Sequence, residues 1–133
     1  MGSTDVMELA MVECVRFERD YKRKQISPDL VRKAWGRISG DKLPLGVAFY
    51  LCDFAVEFDF RRAVLALQSA NGLDCSGRMD SRTIEESYID GTLEFIHTYR
   101  LDFYKKQRMF NACRRFWERR AAKALAIAKS FDR

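Results

Sequence analysis

The sequence predicts an all-α fold. Apolar residues recur at helical spacing along nearly the whole chain, capping signals cut that pattern into segments, and no run of alternating residues argues for more than a trivial strand.

The first helix opens with a capping-box-like start, Asp5 before Val6 with Glu8 three residues on, and runs to about Lys24. Met7, Met11, Cys14 and Tyr21 share one face at spacings of three and four, and Glu18 falls on the same stripe. Ser27 as N-cap and Pro28 in the first turn open a second helix through about Ile38, which Ser39 and Gly40 end, with Trp35 on its inner face. Pro44 opens a third helix whose apolar residues point in every direction, so it is the central, buried one. Asp59 caps a fourth, which finishes at Asn71-Gly72. A turn-rich loop from Leu73 to Asp80 holds the one plausible joint. Ser81 then caps a short helix, Asp90 another through about Lys106, and the last runs from about Arg108 to Ser130.

A chain of 133 residues, 47% hydrophobic, with only two prolines, reads as a single domain (1–133) that buries its own core. Its longest apolar stretch, Leu43 to Phe54, is interrupted by Asp53 and is too short to span a bilayer. The N-terminus lacks the pattern of a secretory signal, so the protein is expected to be made as a cytoplasmic species. Cys14, Cys52, Cys75 and Cys113 lie far apart with a single His in the chain, which points to reduced, mostly packed thiols, no metal site and no cofactor. No nucleotide-binding or nucleophile-elbow motif is present. The net charge of +5 stems from Lys105 to Arg133, where ten Lys/Arg stand against Glu118 and Asp132, and such a face attracts polyanions.

Glu18 and Asp53 are the acids whose neighbours at helical spacing are apolar. A buried carboxyl held protonated is what a general acid needs to protonate a glycosidic oxygen. The plainer alternative is that each accepts hydrogen bonds from an Arg or a helix end. His97 has no Cys or Ser placed to pair with it and reads as structural or solvent-facing. Aromatic and basic residues interleave from Tyr99 to Arg120, a combination suited to nucleic acid or sugar faces. Most simply, Phe103, Phe110, Phe116 and Trp117 supply core and the basic residues the solvated side.

Five stretches, in order, resemble the muramidases of glycoside hydrolase family 108. They are W-G-R-I-S-G-D-K-L-P (Trp35 to Pro44), C-D-F-A-V (Cys52 to Val56), R-R-A-V-L-A-L-Q-S-A-N-G-L (Arg61 to Leu73), S-G-R-M-D-S-R-T-I (Ser76 to Ile84), and the pair Y-R-L-D-F-Y (Tyr99 to Tyr104) and R-R-F-W-E-R-R (Arg114 to Arg120). These phage-type and secretion-associated lysozymes carry a C-terminal part described as peptidoglycan-binding. The resemblance implies a lysozyme-like multi-helix scaffold in which residues 1–42 are the remnant of the catalytic region and 43–133 the helical core.

The resemblance also places the catalytic acid at Glu18, in F-E-R-D-Y, with Tyr21, Asp53 and Glu57 as substrate-binding positions. Arg19 and Asp20 stand where the family has two glycines, the loop that should follow is missing, and Glu57 replaces a neutral Asn. Gly allows backbone conformations and a close substrate approach that Arg and Asp hinder. The first reading is therefore a degenerate muramidase-like protein, a binding or assembly component for peptidoglycan or a protein partner, a second copy of the chain in a homodimer included. The second is a working muramidase using Glu18, which would need a holin-type or other export route to reach the envelope. The third is a nucleic-acid-binding accessory protein using its basic C-terminal helix. A cleft with Glu18 at its base would favour the enzyme, and Glu18 buried against an Arg would favour the first reading.

Overall fold

The computed structural model describes residues 1–22 and 25–131, without the side chains of Tyr21 and Lys22. Its helices are α1 (Ser3–Phe17), α2 (Pro28–Arg37), α3 (Leu45–Glu57), α4 (Phe60–Ala70), α5 (Ser81–Glu86), α6 (Thr92–Lys105) and α7 (Phe110–Lys129). A π-helical turn, Glu18–Lys22, prolongs α1, and a 3-10 turn, Gly40–Lys42, leads into α3. Among the described residues there is no strand, and no helix is long and apolar enough to cross a membrane.

The central helix is α3, which packs against α1, α2, α4, α6 and α7. Every residue of α3 is buried except Leu45 and Val56, as a helix apolar on all sides requires. Phe49, Leu51 and Phe54 fill the core around it. Its C-terminal end meets a second cluster in which the Phe58 ring lies edge-on to Phe103 at 4.8 Å and to Trp117 at 5.4 Å.

Several helix starts follow the sequence closely. Ser27 Oγ accepts from Leu30 N at 3.3 Å, and Asp59 accepts from Arg62 N at 2.7 Å. Other starts shift. Gly2, not Asp5, caps α1, and Asp5 sits three residues in, accepting from Gly2 N at 3.0 Å. Asp80, not Ser81, caps α5 by accepting from Thr83 N at 2.9 Å, since a carboxylate is the stronger acceptor for an orphan N–H. The cap of α6 is Gly91 rather than Asp90, because the backbone there is left-handed (φ 87°) and Gly alone adopts that without a Cβ clash.

The buried stripe of α1 is Val6, Ala10, Cys14 and Phe17, with Met7 and Met11 at its margin. Small side chains let α1 lie close to α2 and α3, and the longer methionines fill the edges. Phe116, expected in the core, is 43% exposed, because its neighbour Trp117 takes the inward position.

Two local devices hold the fold between these helices. Trp35 is buried, donates from Nε1 to Asp41 at 2.9 Å, and has the Gly40 backbone pressed against its indole. The loop after α4 is pinned by buried Gln68, whose amide nitrogen lies within hydrogen-bond distance of Ser76, Arg78 and Thr83 and whose oxygen accepts from Gly77 N.

Candidate functional site

Two dyads face each other across the α3–α6 contact. Asp53 and Glu57 are one turn apart on α3, and Arg100 and Tyr104 one turn apart on α6, so each pair projects from a single helix face. Arg100 Nη2 donates to Asp53 at 2.7 Å and to Glu57 at 2.8 Å, and its Nε donates to the Tyr104 hydroxyl at 2.7 Å. Tyr104 in turn donates to Glu57 at 2.6 Å.

Arg120 enters from α7 and extends the network to α1. Its Nη2 donates to Asp53 at 2.7 Å and its Nη1 to Glu18 at 2.6 Å. Its guanidinium also lies 5.7 Å from the Phe17 ring centre, while that of Arg100 lies 5.0 Å from Tyr50. Glu18 follows the last α-helical residue, where the π turn begins, and that places its carboxylate at the meeting point of α1, α3 and α7.

The five charged groups are inside the protein: Asp53, Arg100 and Arg120 have no exposed surface, Glu18 has 1% and Glu57 4%. Burying isolated charges costs several kcal/mol each, and only mutual pairing offsets this. Burial by itself would raise the Asp53 carboxyl, but Arg120 and then Arg100 outweigh it and hold it at about 2. Burial likewise opposes charging of Arg120, and Asp53 followed by Glu57 reverses this, raising its pKa. Arg100 is raised in the same way against burial, by Glu57 first. The Tyr104 hydroxyl is pushed up by burial, so it stays protonated and serves as a donor.

The structure thus brings together Glu18, Asp53 and Glu57. The Tyr21 side chain lies outside the described residues. His97 stands apart, half-buried, with Nδ1 2.6 Å from the Tyr50 hydroxyl and its pKa lowered by burial and then by Arg100 and Lys129. Cys14 and Cys52 are buried thiols beside the network, and the Cys14 pKa is raised by its hydrogen bond with Cys52 and by burial. Among the described residues no group of His, Cys, Asp and Glu could hold a metal ion.

Arg100, Tyr104 and Arg120 are the members that sequence reasoning missed as network residues, and Arg120 corrects the expectation that the basic residues of the last helix are solvated. The available signal was the repeated four-residue spacing: two acids on the central helix, and an Arg and a Tyr on a helix rich in aromatics. Surface clefts elsewhere include one between α4 and α6 of about 220 Å³ lined by Phe95, Tyr99 and Arg62, one of about 490 Å³ at the Gln68-pinned loop, and two along α7. Glu18, Asp53 and Glu57 line none of these four.

No family model matches the chain, and no curated protein matches it. Among solved structures it is similar to SagA of Brucella abortus, with a TM-score of 0.76 over 90% of this chain and 78% of that one. At 23% sequence identity, that likeness establishes a shared all-helical fold.

Proposed function

We propose that the chain is a degenerate muramidase-like scaffold that cleaves no glycan and serves as a binding or assembly component. The observation that carries this reading is the state of Glu18: 1% exposed, and bound to Arg120 at 2.6 Å. A general acid must present a proton to a glycosidic oxygen within hydrogen-bond reach. A carboxyl group bound to a guanidinium inside a helix junction cannot approach a glycosidic oxygen.

The sequence departures point the same way. Arg19 and Asp20 replace the two glycines of the resembling family, and the missing loop removes a wall of its cleft. Glu57, in place of Asn, gives Arg100 a carboxylate partner across the α3–α6 contact. The residues that would have formed a site have become cross-braces. The likeness to SagA bears on the scaffold alone.

The test is incubation of wild type and Glu18→Gln with purified peptidoglycan, measuring soluble muropeptides, with retention of both proteins on the same sacculi assayed alongside. No release by either protein is expected. Release by wild type that the variant lacks would make Glu18 a working acid and end this reading. Retention on sacculi identifies glycan as the partner, and its absence turns the search to a partner other than glycan.

A further inference from the structure

Three buried carboxylates against two buried guanidiniums leave the internal network at −1, so the rest of a chain of net charge +5 carries +6. Part of that excess is aligned. Arg115, Arg119 and Lys123 follow at four-residue steps on α7, all exposed, about 6 Å apart along the helix. Among the described residues none of the three has a carboxylate within ion-pair distance, and Glu118 beside them is engaged by Arg114 at 3.3 Å.

Phe116 lies in this face, 43% exposed, with Ala112 one turn before it and Arg119 one turn after. Trp117 already fills the inward position, so the exposed part of the phenyl ring among these cations adds little to the fold. The surface around it is open and shallow: a depression of about 570 Å³ lined by Asn111, Arg115, Phe116 and Glu118 is followed by one of about 480 Å³ lined by Arg115, Glu118, Arg119 and Ala122.

The geometry points to this face of α7 as a binding site for single-stranded nucleic acid, with Phe116 stacking on a base and Arg115, Arg119 and Lys123 meeting successive phosphates. Stacking is indifferent to sequence and phosphate contact is indifferent to base, so the site is nonspecific. A membrane surface fits less well. A helix lying in a bilayer interface buries a broad apolar face, and here the exposed apolar side chains beyond Phe116 are Met109 at the helix start and the small Ala112, Ala122 and Ala126. The site stands apart from the closed network, so it holds whether or not the non-lytic reading does.

The experiment is fluorescence anisotropy of the full chain with a labelled oligothymidylate of about 16 nucleotides across a salt series. Wild type is compared with Phe116→Ala and with the double variant Arg115→Ala/Arg119→Ala. These positions are exposed, and circular dichroism verifies that both variants fold. Phe116→Ala is expected to weaken binding about tenfold. The double variant should reduce the steepness of log affinity against log salt by about 1.4, two phosphate contacts' worth. Absence of binding at low salt, affinity unchanged by Phe116→Ala, or tighter binding to duplex DNA or phosphatidylglycerol vesicles than to the strand would each overturn the assignment.

Discussion

Arg120 donates to Glu18 at 2.6 Å across 102 residues of sequence, closing the last helix onto the end of the first. The same guanidinium holds Asp53 of the central helix, so one side chain joins α1, α3 and α7. Replacing it with Met fills much of the volume but leaves Glu18 and Asp53 buried with less positive charge. Arg120→Met is expected to lower unfolding free energy by about 3–5 kcal/mol in urea denaturation. A loss below about 1 kcal/mol would mean that the pair is dispensable.

Acid should loosen the same junction. Asp53 has a folded pKa of about 2 against an ordinary 3.8, so its ion pairing stabilises the fold fully above about pH 4 and is lost as pH falls through about 2. The loss is about 2 kcal/mol. Urea midpoints at pH 5 and pH 2 should differ accordingly, and Asp53→Asn should flatten that difference. A wild type equally stable at both pH values contradicts the assignment.

Neighbouring glycines should respond with opposite signs. A Cβ at Gly40 would stand 2.4 Å from the Trp35 indole, whereas one at Gly36, inside α2, meets nothing within 4 Å. Gly40→Ala is expected to destabilise by about 1–3 kcal/mol through forced movement of Trp35. Gly36→Ala should stabilise by about 0.5–1 kcal/mol. Thermal unfolding of the two variants checks both signs.

Adjacent aromatics on α7 should differ as sharply. Trp117 is 7% exposed and packs on Phe58 and Tyr104, while Phe116 is 43% exposed. Trp117→Ala should cost about 3–5 kcal/mol and Phe116→Ala less than about 1 kcal/mol. Equal costs would mean that α7 is rotated about its axis.

The helices were legible in the sequence because their signals are local. Ser27, Asp59 and the Asn71-Gly72 stop each act within one turn, and α3 announced its central place by being apolar all round. Starts were misplaced by one to three residues where the choice lay between two adjacent polar residues, as at Asp80 and Ser81, or depended on a backbone angle, as at Gly91. The burial of Glu18 and Asp53 was readable from their apolar neighbours. Their partner was not, because Arg120 sits in a run of basic residues and only the packing of α7 on α3 distinguishes it from Arg119. In the same way, periodicity placed Phe116 and Trp117 together, and the choice between them is made by the α6–α7 contact.

Equilibrium urea unfolding of Glu18→Gln tests most directly the proposal that Glu18 is a structural acid. A carboxylate accepting a buried, charge-assisted hydrogen bond from Arg120 contributes about 1.5–3 kcal/mol, so the variant should be less stable than wild type by that amount. A catalytic acid kept in place for chemistry is commonly neutral or costly to the fold, so a Glu18→Gln protein as stable as wild type, or more so, would contradict the account.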